Sequence, residues 1–75
     1  EIPEHLIQEF MIELKPVTEP GERESLEEVR EMTGLVLDTL AAEPELMDFK
    51  EYQDDYIKAM AMRTALARFG ILYDA

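Results

Sequence analysis

The stretch FKEYQDDYIKAMAMRTALARF, residues 49–69, decides the fold. It is rich in Ala, Met, Lys and Arg, which are good helix formers, and its apolar residues recur at helical spacing. A helix of this length would measure about 30 Å. Gly70 follows where a helix commonly ends on a left-handed residue. The sequence therefore predicts a long helix over 49–69 that ends at Gly70.

A shorter helix is predicted before it, over residues 3–14. Pro3 suits the first helical position, where its missing N–H costs nothing. Pro16 is expected to end the helix, because the residue before a proline is disfavoured in the α region. One face of this helix is apolar and predicts a buried stripe, formed by Leu6, Ile7, Phe10, Met11 and Leu14.

A third helix is predicted over residues 25–42. Ser25 and Glu28 have the spacing of a capping box, which places the predicted start at Ser25 or one turn earlier. Residues 35–40 are mostly apolar, so we expect this half to be buried on most sides. The predicted inward face consists of Leu26, Val29, Thr33, Val36 and Leu40, and Met32, Leu35 and Leu37 widen it.

The connections complete a prediction of an all-α fold with a single small domain over residues 1–75. Residues 15–24 contain two prolines and one glycine and are predicted to form an irregular linker. Residues 44–47 are predicted to form a short turn, after which Asp48 would cap the long helix. No run of residues alternates as a strand would. The expected architecture is a small three-helix bundle, or a helical hairpin with an additional N-terminal helix.

Composition excludes several classes of function. The chain has 75 residues, with 18 acidic and 7 basic side chains and a net charge of -11. Such a charge repels phosphate backbones, so direct binding to nucleic acid or to an anionic membrane is not expected. No apolar run has the length of a membrane span. The absence of cysteine is compatible with a reducing compartment, and we expect a cytoplasmic location.

The first residue is Glu1 rather than methionine, and we expect the chain to be a trimmed product or a domain of a longer protein. No catalytic or metal-binding constellation is apparent. His5 is the only histidine, and with Glu9 it supplies two ligands where a metal site needs three or four. Ser25 is the only serine. The sequence therefore predicts a protein without enzymatic activity, metal or cofactor.

Two kinds of surface point instead to a protein partner. The helix over 49–69 is apolar around most of its circumference, and two short neighbours are not expected to cover it. Its predicted apolar contact residues are Tyr52, Tyr56, Met60, Met62, Leu66 and Phe69. An acidic segment precedes and overlaps this helix and could steer a basic partner. Its predicted contact residues are Glu43, Glu45, Asp48, Glu51, Asp54 and Asp55.

These features favour two hypotheses of function. The first is an interaction module, either an adaptor or a small subunit, which would form a homo-oligomer or a complex with another protein. The second is an acidic inhibitor that mimics nucleic acid and binds the basic cleft of a nucleic-acid-binding protein. The acidic residues also have a simpler explanation, because they increase solubility and are favourable at the positive N-terminal ends of helices. The sequence does not identify the partner.

Overall fold

The computed structural model describes residues 2–18 and 23–70 and contains three α-helices. The helices are α1 (Glu4–Leu14), α2 (Arg23–Ala42) and α3 (Lys50–Arg68). Short 3₁₀ helices follow α1 over Lys15–Thr18 and α2 over Pro44–Asp48. None of the described residues belongs to a β-strand. The predicted all-α class is confirmed, and the arrangement is consistent with a three-helix bundle.

The ends of α1 differ from the prediction at both prolines. Pro3 is extended and precedes the helix, and its carbonyl oxygen accepts hydrogen bonds from the N–H groups of Leu6 and Ile7. Lys15 keeps helical angles, φ -53° and ψ -46°, although Pro16 follows it. The expectation that Pro16 forces its neighbour out of the α region was wrong. The chain tightens into a 3₁₀ helix at this point, which preserves helical dihedral angles across the proline.

α2 begins at Arg23, which is within the range that the sequence predicts for its start, but Ser25 then lies in the first turn and not at the N-cap position before the helix. Arg and Glu are good helix formers, and the helix extends back over residues 23 and 24. At α3, Asp48 still belongs to the preceding 3₁₀ helix, and the extended residue Phe49 precedes the helix without a side-chain cap. Residues 19–22 of the predicted linker lie outside the described residues.

The end of α3 agrees with the prediction. Gly70 has φ +87°, the left-handed conformation that glycine adopts without steric cost. The N–H groups of Phe69 and Gly70 donate to the carbonyl oxygens of Leu66 and Ala67, which closes the last turn of the helix.

α3 is the central helix of the molecule. Both α1 and α2 pack against it, whereas the backbones of α1 and α2 scarcely approach each other. Residues from all three helices form the core, namely Ile7, Leu14, Leu26, Ala61, Ala65 and Leu66. The molecule is elongated, with principal dimensions of 41 × 26 × 18 Å.

Small side chains on α3 allow this central packing. Ala59, Ala61 and Ala65 are buried, and an alanine lets a neighbouring helix approach closely. The predicted stripe of α1 is confirmed, since Ile7 and Leu14 are buried and its other members pack partly against the core. Because the core residues of α3 are Ala61, Ala65 and Leu66, the stripe of α1 packs against the C-terminal half of α3.

An ion pair joins the start of α1 to the end of α3. The Arg68 guanidinium donates to both carboxylate oxygens of Glu4, from Nη1 at 2.6 Å and from Nη2 at 3.0 Å. Gln8 donates a further hydrogen bond to Glu4 over 2.8 Å. The hydrogen bond from Arg68, followed by that from Gln8, lowers the pKa of Glu4 to about 2. The same pairing raises the pKa of Arg68.

Candidate partner-binding surface

The six apolar contact residues predicted on α3 do not form one exposed surface. Leu66 is fully buried in the core and offers no surface to a partner, which corrects that prediction. Met60, Met62 and Phe69 are partly buried, and Met62 and Phe69 pack against the core of the chain itself. The reason is that α1 and α2 between them cover the C-terminal half of α3.

The two tyrosines near the start of α3 retain more exposure. Tyr52 is 39% exposed and Tyr56 is 38% exposed. They line different cavities: Tyr52 lies beside Leu46 and Val36, whereas Tyr56 lies beside Met60 and Arg63. The structure therefore leaves both tyrosines accessible without bringing them to one site.

An exposed apolar stripe lies on α2 instead. Met32 is 65% exposed, Leu35 62% and Val36 38%, and Thr39 continues the stripe one turn later. These positions follow i, i+3, i+4, i+7 spacing and so share one face of the helix. The expectation that residues 35–40 are buried on most sides was wrong for Leu35 and Val36, and the prediction that Met32 widens the inward face was also wrong. We call Met32, Leu35, Val36 and Thr39 the α2 stripe.

The inward face of α2 explains why the stripe is left outside. Leu26, Thr33 and Leu40 are buried, and they lie beside the α2 stripe around the helix. The buried Thr33 hydroxyl donates to the carbonyl oxygen of Val29 over 2.7 Å, which satisfies it inside the fold. The sequence-based prediction assigned the inward face of α2 and the α2 stripe to a single buried face. The two sets of residues each have helical spacing but lie side by side on α2, and α1 is too short to cover both. These two facts were the available indication that α2 has a second, uncovered face.

The α2 stripe forms one wall of a continuous groove. Two adjoining surface cavities, of about 390 and 260 Å³, share Val36 and Asp55 in their linings. Further residues that border the groove come from α1, the second 3₁₀ helix and α3, among them Phe10, Leu46, Tyr52 and Met62, and Thr33 and Leu40 of α2 lie at its base. We call this feature the α2–α3 groove.

Local contacts hold the mouth of the groove in place. The rings of Phe49 and Tyr52 meet edge to face, with their centroids 6.2 Å apart. Gln53 donates from Nε2 to the carbonyl oxygen of Met47 over 2.8 Å, which ties the second 3₁₀ helix to the first turns of α3. The Phe49 ring thus packs against Tyr52, and the hydrogen bond of Gln53 holds the neighbouring 3₁₀ helix beside it.

All six predicted acidic contact residues are exposed. Asp54 lies 3.9 Å from the ammonium of Lys50. Within the described part of the chain, the other five make no ion pair; they are Glu43, Glu45, Asp48, Glu51 and Asp55. Asp55 borders the α2–α3 groove, and Glu51 lies one turn earlier on the same face of α3.

Among the described residues, no group of three or more His, Cys, Asp or Glu side chains could hold a metal ion. His5 is exposed at the start of α1. None of the described helices combines the length and apolar character needed to cross a membrane. Two larger surface cavities, of about 490 and 660 Å³, lie on another side of α2, and both include Asp38 and Arg63 in their linings.

Comparison with known proteins does not add to this picture. No family model matches the chain, and neither a curated protein nor a solved structure is significantly similar to it.

Proposed function

We propose that this chain is a non-enzymatic protein–protein interaction module whose contact surface is the α2–α3 groove. The observation that carries the proposal is the α2 stripe, in which Met32 and Leu35 are each more than 60% exposed on one helix face. Single exposed apolar residues are normal on a protein surface, but a contiguous set rimmed by polar groups is typical of a binding site.

The surroundings of the stripe support the same proposal. Apolar side chains and the rings of Phe10 and Tyr52 line the groove, and its charged lining residues are Asp55 and Lys58. Interfaces between proteins commonly have an apolar centre and a polar edge. The chain contains one histidine, one serine and no cysteine, which leaves few of the side chains most often used as nucleophiles or paired with them as a base.

Tagged protein purified from the source cells would test the proposal. Three forms are compared: the native sequence, Leu35→Ser, and Ile12→Ser as a matched control at an exposed apolar residue of α1. We expect a bound protein to be retained by the native and Ile12→Ser forms and lost from Leu35→Ser. Circular dichroism of both variants serves as the control that their helices remain folded.

Light scattering on the purified chain measures its molar mass and so tests whether the chain binds a second copy of itself. A homo-oligomer that uses the groove would dissociate on the Leu35→Ser substitution and persist on Ile12→Ser. A chain that is monomeric at high concentration, and whose captured proteins do not change with Leu35→Ser, would contradict the proposal.

A second candidate function is supported by the acidic segment. Six exposed carboxylates occur within residues 43–55, and five of them are without an ion-pair partner in the described residues. An inhibitor that mimics nucleic acid would use such a surface on a basic cleft. Its complex would weaken steeply as salt is raised and would be displaced by duplex DNA or RNA. A complex that is insensitive to salt and to nucleic acid would contradict this second candidate.

A further inference from the structure

We infer that the α2–α3 groove binds a basic amphipathic α-helix of a partner protein, an inference that rests on the proposed interaction function. The apolar face of that helix would lie on the α2 stripe, and its positive face would meet Glu51 and Asp55. The inference combines the shape of the groove with the different chemistry of its two walls.

The shape follows from the lengths of the three helices. α1 has 11 residues and α3 has 19, so α1 measures about 16 Å against about 28 Å for α3. Arg68 pairs with Glu4 at the start of α1, which aligns α1 with the C-terminal half of α3. Over the other half of α3, about 14 Å long, the second 3₁₀ helix packs against α2 and α3, but no third α-helix lies there among the described residues. A helix with two or three turns in the groove would take that place.

The two walls of the groove differ in chemistry. The α2 wall is apolar, whereas the carboxylate of Asp55 lines the α3 wall, and Glu51 lies exposed one turn earlier on the same face of α3. Lys58 also borders the groove, further along α3 beside Met62. A helix that carries an apolar face next to a positive face matches both walls. A helix with a negative second face would place like charges opposite each other.

The net charge argues against a second copy of this chain as the occupant. Each chain carries a net charge of -11, and its own helices contain many carboxylates. Seating one of them in the groove would bring acidic surfaces together, whereas a basic partner is attracted before contact. Charge complementarity therefore selects a cationic helix from another protein.

Synthetic peptides of about 18 residues provide the probe, and the full chain is used throughout. One peptide has a Leu face and a Lys face, a second has the same Leu face with Glu in place of Lys, and a third keeps the Lys residues but replaces Leu by Ser. Binding is measured by isothermal titration calorimetry at about 150 mM salt. We expect the Leu/Lys peptide to bind at least about tenfold more tightly than either of the others.

Variants of the chain then locate the bound peptide. Leu35→Ser removes an apolar contact, and the double variant Glu51→Gln/Asp55→Asn removes the negative wall. Their matched controls are Ile12→Ser and the exposed α1 pair Glu9→Gln/Glu13→Gln. We expect each groove variant to weaken the Leu/Lys peptide about fivefold or more, and each control to change it less than about twofold.

The outcomes separate this inference from the function on which it rests. The inference of a basic amphipathic helix would be overturned if the Glu peptide or the Ser peptide bound as tightly as the Leu/Lys peptide. It would also be overturned if light scattering showed a homo-oligomer that dissociates on Leu35→Ser. In each of these cases, loss of a host partner on Leu35→Ser would still support the interaction module. If none of the peptides binds, the inference is overturned. If, in addition, Leu35→Ser does not change the proteins that purify with the tagged chain, the proposed function fails as well.

Discussion

Two leucines in this chain have opposite environments. Leu66 is fully buried on α3 and touches residues of the core, whereas Leu35 projects from α2 with most of its side chain in water. Their chemical identity is the same, so any difference between them on truncation reports burial alone. The contrast also separates the residues that hold the fold together from those available to a partner.

Truncation of the two leucines to alanine should therefore differ in effect. Leu66→Ala is expected to lower the free energy of unfolding by about 2–5 kcal/mol, because it removes buried methyl groups and leaves a cavity. Leu35→Ala should change it by about 0.5 kcal/mol or less. Urea denaturation followed by circular dichroism measures both. Equal losses would mean that Leu35 is covered in solution.

The first helix is attached to the third through its apolar stripe and one bidentate ion pair. Glu4 and Arg68 are separated by 64 positions in the sequence, and both side chains are partly exposed. Because the pair lowers the pKa of Glu4, ionised Glu4 favours the folded state. This contribution is present above the ordinary pKa of glutamate, and it is lost as pH falls towards the folded value of about 2.

Replacing the Glu4 carboxylate should change how the stability of the fold depends on pH below about pH 4.5. Glu4→Gln is expected to be less stable than the native chain at about pH 7, and the difference should close between about pH 4.5 and pH 2. Thermal unfolding across that range measures the difference. Glu9→Gln, on the same helix, serves as the control and should run parallel to the native curve. A Glu4→Gln deficit that persists below pH 2 would contradict the ion-pair explanation.

At the level of helices, periodicity predicted the elements better than their surroundings. The three helices and the inward stripe of α1 were predicted, because apolar spacing states which residues share a face. It does not state how many neighbours cover that face, and so Leu66 was assigned to a partner and Leu35 to the core. The caps at Ser25 and Asp48 failed because local sequence allows a helix end to shift by one or two residues.

The whole molecule carries its excess of negative charge on a thin body. Its shortest dimension is 18 Å, whereas the Debye length is about 30 Å at 0.01 M salt and about 3 Å at 1 M. At low ionic strength, carboxylates on opposite faces therefore repel each other through the molecule. This repulsion opposes the compact state, and we expect it to outweigh the attraction within the surface ion pairs of the described residues.

Salt should consequently stabilise the fold. The Tm of the native chain is expected to rise as sodium chloride increases from about 10 mM to about 500 mM. The triple variant Glu43→Gln/Glu45→Gln/Asp48→Asn removes three negative charges, which takes the net charge from -11 to -8. It should have a higher Tm at low salt and a smaller dependence on salt. A Tm that falls with added salt in the native chain would contradict this account.

The candidate site was predicted only in part at this scale. The sequence indicated exposed carboxylates around Asp55 and accessible tyrosines, because charged groups remain in water and tyrosine is only intermediate in its tendency to be buried. It did not indicate the α2–α3 groove. That feature depends on where α1 stops along α3, and this is a property of tertiary packing.

The central position of α3 has a consequence for the order in which the protein forms on the ribosome. Synthesis proceeds from the N-terminus, so α1 and α2 emerge before the helix on which both of them pack. Until the segment with Ala61, Ala65 and Leu66 has left the exit tunnel, neither early helix has its docking surface, and the nascent chain keeps Ile7 and Leu26 uncovered.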